Sequence, residues 1–179
     1  MIDVETLDTR PTAAVTQIGW CFFDACVGDA CKPPMRSGGV FVVPSMDDRT
    51  SSYDTVKWWL GQSDAARSAF IKGAEKGIST GRAIDHFLNE ASEYLIGDGR
   101  VWGCGSDFDL PIIADMAYKA GYKVPWKFWN HRCLRTLYEL AGYSKADRTV
   151  PLTAHEAESD AVAQATDVVK IYKKLGLKR

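Results

Sequence analysis

Paired cysteines are missing from this sequence. Its five cysteines, Cys21, Cys26, Cys31, Cys104 and Cys133, are odd in number and form no Cys-x-x-Cys pair. That excludes a disulfide framework and a zinc knuckle and leaves reduced, mostly buried thiols. An excess of positive charge is missing too, since 22 Lys and Arg stand against 23 Asp and Glu. No bulk field can therefore hold a polyanion, and any attraction for nucleic acid must be local or borrowed from metal ions. No run approaches the roughly 18 consecutive apolar residues of a membrane span. The first residues are acidic where a signal peptide needs basic and then apolar ones. The expected location is cytoplasmic, with no membrane partner. Repeats, low-complexity segments and boundary signals are also absent, so the 179 residues, 46% of them hydrophobic, read as a single domain spanning 1–179.

What is present is a change of period along the chain. Met1 to Thr6 reads as a strand, and TAAVTQIGWCFFDA from Thr12 as a second, rich in β-branched and aromatic residues. Gly28 to Gly39, with Pro33 and Pro34, reads as a turn region. VFVVP from Val40 is then a third strand stopped by Pro44, which completes an antiparallel meander. From Asp54, a candidate N-cap, Val56, Trp59, Leu60, Ala66 and Phe70 recur at helical spacing. A helix from Ser79 or Thr80 to a stop at Gly97 follows, then a short buried strand at Val101, a helix over SDFDLPIIADMAYKAGY, a strand passing into a helix over KFWNHRCLRTLYELAGY, and a last helix from Leu152 to Leu175 stopped by Gly176. The order predicts an α/β layer structure with a mixed sheet.

The acidic residues form three separated groups. In MIDVETL, Asp3 and Glu5 are two apart on a strand and project to the same side. Their repulsion would be relieved by a hard divalent cation, although an Asp-x-Glu triplet on its own is equally a feature of ordinary surfaces. In GSDFDLPII, Asp107 and Asp109 fall where a strand passes into a helix. That is a place for helix caps and also the end of α/β strands at which ligands bind. In HEAESDAV, His155 and Asp160 are five residues apart. Five helical steps turn through about 500°, which leaves the two about 140° apart. His155 is therefore better placed on the loop before the helix, reaching over its start.

Taken in order, Asp-x-Glu on the first strand, Asp at a mid-chain strand-to-helix turn, and His-x4-Asp on the last helix resemble the DEDDh group of 3′-5′ exonucleases, which have a ribonuclease H-like fold. The WWL segment at Trp58 and FWNHRCLRTL from Phe128 are similar to those of small bacterial and phage exoribonuclease-like and exonuclease VIII-like enzymes. The resemblance implies a mixed sheet, an antiparallel meander plus parallel strands, flanked by helices. It implies that Asp3, Glu5, Asp109 and Asp160 bind two divalent cations, Mg²⁺ with Mn²⁺ as a substitute, and that His155 is the general base. Asp109 is the family's acid because it follows the aromatic of the FD pair, which leaves Asp107 as the cap. The activity implied is hydrolysis of DNA or RNA, as single strands, from the 3′ end to nucleoside 5′-monophosphates. Dimers occur among similar enzymes, so a homodimer is a further expectation. Two other readings stay open: a phosphodiesterase for very short oligonucleotides or nucleotide-like molecules, and a non-catalytic binding module of the same fold.

Thr6 and Leu7 follow the Asp-x-Glu pair, and in similar enzymes these positions contact the terminal nucleotide. A hydroxyl closing a strand and a partly buried leucine describe them equally well. Trp58 and Trp59 point about 100° apart on a helix, so only one can be central to the core. Arg132 and Arg135 flank Cys133, where relatives have an acid, and a role beneath the site is expected of them. Lys170, Lys173, Lys174, Lys178 and Arg179 read as a solvated face near a helix C-terminus. Only Met1 and Ile2 precede Asp3, fewer apolar residues than in relatives. The expectation is either a short first strand that anchors Asp3 weakly or a first strand whose upstream residues are missing from this sequence.

Overall fold

The computed structural model of the chain describes residues 1–25, 36–95 and 98–177. Cys26, Cys31, most of the Gly28 to Gly39 turn, the helix stop at Gly97, and Lys178 and Arg179 lie outside the described residues. Strands β1 (Ile2–Thr6), β2 (Val15–Phe22) and β3 (Arg36–Val43) form the expected antiparallel meander. The short β4 (Ile78–Ser79) pairs in parallel with β3. Strands β5 (Val101–Gly103) and β6 (His131–Cys133) form a second, parallel ladder, and β5 packs beside β1. Mixed pairing is as expected, divided between two hydrogen-bonded ladders.

Among the described residues, six α-helices cover these ladders: α1 (Tyr53–Leu60), α2 (Asp64–Lys76), α3 (Thr80–Tyr94), α4 (Asp109–Lys119), α5 (Leu134–Leu140) and α6 (Ala157–Leu175). Alternation along β1 and β2 assigns the faces. Ile2, Val4, Ile18 and Trp20 join Ile84 and Phe87 of α3 and Ile112, Ile113 and Met116 of α4 in the main core. Each such apolar side chain contributes roughly 1.5–3 kcal/mol by leaving water. Met1 and Cys21 on the opposite face pack with Ala161, Ala165, Val168 and Ile171 of α6. Among the described residues, no helix is long and apolar enough to cross a membrane.

Four boundaries differ from the sequence expectation. The helix read from Asp54 is two helices, capped by Ser52, whose Oγ accepts from the Thr55 N–H, and by Ser63, whose Oγ accepts from the Ala66 N–H. The apolar period hid the break because Trp59, Ala66 and Phe70 face one cluster from both helices. Asp54 lies inside the first turn of α1 and is not its cap. Strand β3 begins at Arg36 and contains Gly38 and Gly39, which the sequence placed in a turn. A Cβ on Gly38 would stand 2.7 Å from the Trp20 ring, and one on Gly39 would stand 2.8 Å from the Glu158 Cβ, so these glycines serve close packing within the strand. Helix α6 begins at Ala157 and not at Leu152, because Glu156 is extended and His155 adopts φ 61°.

The tightest approach in the fold joins β2 to the start of α6. A Cβ added to Gly19 would stand 2.0 Å from the Ala157 carbonyl carbon and 2.1 Å from its oxygen. Only glycine fits, and the contact is backbone against backbone, so no rotamer change can relieve it. Gly19→Ala should cost at least about 3 kcal/mol, the upper part of the range for overpacked sites. Urea denaturation of the variant beside wild type checks this, and a loss under about 1 kcal/mol would mean that α6 can ride outward.

Candidate active site

The β1–β2 register places Asp3 opposite Gly19 and Glu5 opposite Gln17. Asp3 and Glu5 consequently share the face over which the N-terminal end of α6 lies. A register shift between Glu5 and Thr6 inserts Thr16 as an extra residue, and its hydroxyl donates to the Glu5 carbonyl at 3.1 Å. Asp3 is not frayed. The Met1 amino group donates to the Cys21 carbonyl at 2.9 Å, the Cys21 N–H returns a bond to the Met1 carbonyl, and Gln164 Nε2 donates to Asp3 Oδ1 at 2.7 Å.

Asp109 is the first residue of α4 and is 3% exposed. Its Oδ1 accepts from the Val4 N–H of β1 at 3.2 Å. The carboxylate thus takes up a strand donor between Asp3 and Glu5. Its Oδ2 would lie 2.9 Å from a Cβ on Gly103, so the end of β5 must be glycine for the acid to sit there. Asp107 is exposed, and Phe108, without a side-chain cap, occupies the cap position, which corrects the expectation that Asp107 caps this helix.

His155 lies on the loop before α6, as its spacing from Asp160 predicted. Its N–H donates to Asp160 Oδ2 at 2.8 Å. The imidazole Nδ1 is 3.9 Å from Glu5 Oε1. One ligand atom from each of Glu5, His155 and Asp160 falls within 4.8 Å of the others. Two distant segments, β1 and the start of α6, therefore meet at one point. Thr6 and Leu7 sit at its edge, where the Thr6 hydroxyl donates to the Asp8 carbonyl at 2.6 Å and Leu7 packs with Trp59, Ala14 and Ala66. Trp59 is 3% exposed and Trp58 46%, the division expected of adjacent helical positions. Trp126 is core, whereas Phe128 and Trp129 are exposed. Cys21 is buried, and Cys104 and Cys133 are half-buried free thiols.

Electrostatically the site is overloaded with negative charge. Burial, and then repulsion from Asp109 and Asp160, holds the Asp3 carboxyl well above the usual carboxylate range, against the opposing Gln164 bond. Burial followed by Asp3, Asp160 and Asp109 does the same to Glu5. Burial pushes Asp109 to about 7, opposed by the Val4 N–H and the Arg135 guanidinium, and burial raises Asp160 against the His155 N–H. The donor set is all hard oxygen with one imidazole, which fits divalent cations such as Mg²⁺ or Mn²⁺. Two buried amide atoms at its margin, Gln17 Nε2 and Gln164 Oε1, have no hydrogen-bond partner among the described residues. Asp3, Glu5, Asp109 and Asp160, with the His155 imidazole beside them, are the groups that could hold such a cation.

Sequence reading missed Gln17 and Gln164. Gln17 is 2% exposed, and its Oε1 accepts from the Ala157 N–H at 3.1 Å, pinning the first turn of α6 beside Glu5. A glutamine inside an otherwise apolar strand was a usable signal, because a buried amide requires partners. Gln164 follows Asp160 by four residues and so shares its helix face. Arg135, expected beneath the site, does lie there: its guanidinium would contact a Cβ on Gly105, a residue at φ 113°, and it lies near the Cys104 thiol and Asp109.

The shifted carboxyls give a signed pH dependence. They retain protons in the folded state where the unfolded chain has released them, so their contribution to stability is full below about pH 4 and is lost as pH rises through each folded value, which for Asp109 is about 7. Cation binding must displace those protons. The rise in Tm caused by Mn²⁺ should therefore be small at pH 5 and largest near pH 8, and Asp109→Asn should flatten that difference. Thermal melts with and without Mn²⁺ at the two pH values check both statements.

Known proteins resemble this chain in sequence and in fold. The exodeoxyribonuclease of enterobacteria phage T4 is 26% identical over 172 residues, covering 85% of this chain and 75% of the relative. Among solved structures, Escherichia coli exonuclease I in complex with a dT13 oligonucleotide superposes with a TM-score of 0.68 at 12% identity, over 98% of this chain and 41% of that one. The chain thus spans about two fifths of exonuclease I. Schizosaccharomyces pombe Pop2p, in its Mg²⁺- and Mn²⁺-bound form, gives a TM-score of 0.51 at 13% identity, over 96% of this chain and 81% of that one. The model of one nuclease family covers residues 1–172, and by that match the chain belongs to the 3′-5′ exoribonuclease Rv2179c-like domain family.

Proposed function

We propose that this chain is a single exonuclease domain that removes nucleoside 5′-monophosphates from the 3′ end of single-stranded nucleic acid, using two divalent cations and His155 as general base. The observation that carries this reading is the convergence of Asp3, Glu5, Asp109, Asp160 and His155 from the first strand, the β5–α4 turn and the start of α6. Four carboxyls with one guanidinium beside them form a poor surface for phosphate until cations offset their charge. That accounts for how a nearly neutral protein can hold a polyanion at one spot.

Bound cations would supply Lewis acidity toward the attacking water and the leaving 3′-oxygen. The chain's own groups do the rest. Asp3, Glu5 and Asp160 would hold one cation, and Asp3 and Asp109 the other. Asp109 is fixed by the Val4 N–H, and Asp160 by the His155 N–H. The His155 imidazole, half exposed, is free to take the proton of the water that attacks phosphorus. Thr6 and Leu7, at the exit of β1, would contact the terminal nucleotide. The oligonucleotide complexes of exonuclease I support a single-stranded substrate. The family model is named for RNA and the phage relative for DNA, so the sugar is decided by experiment.

The test is a time course on 5′-labelled DNA and RNA strands of graded length with Mg²⁺, Mn²⁺ or chelator. A cation-dependent ladder that shortens one nucleotide at a time from the 3′ end is expected. Asp3→Ala should abolish it with little change in Tm, and His155→Ala should slow it by about 10²- to 10⁴-fold, the usual worth of a positioned base. Internal cuts, or a ladder that survives Asp3→Ala, would end this reading.

A further inference from the structure

A general base has to be aimed, and a catalytic histidine is commonly oriented by a hydrogen bond from its second ring nitrogen to a carboxylate or carbonyl. Among the described residues, none makes such a bond to the His155 ring. Its Nδ1 is 3.9 Å from Glu5 Oε1, beyond hydrogen-bond reach, and the Asp160 bond is made to its backbone. The backbone itself sits at φ 61°, a region sparsely used by residues other than glycine. The ring instead meets two indoles. Trp58 lies edge-on at 5.0 Å and 84°, and Trp59 edge-on at 6.0 Å and 78°. The two tryptophans are themselves T-shaped at 5.1 Å.

This aromatic clamp is tied to the carboxylate strand. The Trp59 indole N–H donates to the Thr6 carbonyl at 2.9 Å, and its ring stacks on Phe70 at 5.0 Å. Ser52, the cap of α1, donates its N–H to the Leu7 carbonyl at 2.8 Å. Both anchors grip the two residues that follow Glu5. Trp59 is thereby fixed by the core, and Trp58, 46% exposed, has its ring against Trp59 and His155.

We propose that Trp58 is a positioning residue that, with Trp59 behind it, holds the His155 imidazole over Glu5 and Asp160 in place of a hydrogen bond. The inference rests on His155 being the base. Its consequence is that both ring nitrogens stay uncommitted to protein, leaving either available to the attacking water.

The experiment compares Trp58→Leu, which keeps apolar volume against Trp59 but has no ring, with Trp58→Phe, which keeps an aromatic edge. Three quantities are read: kcat and KM on a short strand, Mn²⁺ affinity by calorimetry without nucleic acid, and the imidazole carbon-bound proton resonances of His155. Trp58→Leu should lower kcat about 10- to 100-fold, the cost of misplacing a catalytic group by about 1 Å. It should leave KM and Mn²⁺ affinity within about twofold and remove the ring-current displacement of the His155 resonances. Trp58→Phe should restore most of both kcat and displacement. A raised KM with kcat intact would overturn the proposal and make Trp58 a platform for a nucleobase. Unchanged resonances in Trp58→Leu would overturn it as well. Absence of exonuclease activity in wild type would instead remove the functional reading, while the resonances still show whether the clamp exists.

Discussion

The contact between β2 and the first turn of α6 fixes how the last helix meets the carboxylate strand, and the α6 half of the site depends on it. Gly19 lets the Ala157 backbone approach to a distance no side chain would permit, and Gln17, two residues earlier on the same face, accepts the Ala157 N–H. The strand paired with β2 carries Asp3 and Glu5 in register with these two residues. Two strand positions therefore set both the depth and the azimuth of α6. Asp160 and the preceding His155 follow by chain connectivity. If α6 were displaced by the width of a methyl group, Asp160 would leave the neighbourhood of Glu5, so packing and chemistry are one constraint here.

Charge is the second constraint, and it works against the fold. The large apolar faces of the sheet bury the carboxyls, and burial is the largest cause raising each of them. The surrounding structure compensates only in part. Arg135 lies beneath Asp109, one amide donates to Asp3, and backbone N–H groups reach Asp109 and Asp160. Each of these partners orients a carboxyl, and none is a full countercharge for the cluster. Coupling between proton release and cation binding is then a consequence of the architecture, independent of which nucleic acid is the substrate.

Much of this was legible in the sequence because it depends on local periodicity. The period of two puts Asp3 and Glu5 on one side, and the angular mismatch over five helical residues puts His155 on a loop; the structure agrees with both. The meander, α3, β5 and the end of α6 at Gly176 were legible for the same reason. What failed were the positions at which a local signal served a distant contact. Gly38 and Gly39 look like a turn, yet they accommodate Trp20 and Glu158 inside a strand. Trp59, Ala66 and Phe70 look like one helix, yet they converge on one cluster from two. The roles of Gln17, Gln164 and Trp58 depend on partners about 100 or more residues away, which no local window contains.

The separation of the two ladders is itself part of the site. A continuous sheet would pair β1 with β5 and consume the outward N–H of Val4. Here that donor goes to Asp109, from the turn that follows β5. The bond is possible only because Gly103 has no side chain where the carboxylate lies. Asp109 thus occupies a place that regular strand pairing would have filled, with one oxygen bound to the strand and the other beside Gly103. An aspartate in this position reports the docking of β5 against β1, because a shift between the ladders breaks the Val4 bond and moves the acid away from Asp3. Among the acids of the site, Asp109 is the one whose placement depends on the seam between the ladders, whereas Asp160 depends on the seat of α6 on β2. Asp3, between them, is reached from both sides and has no freedom to follow either.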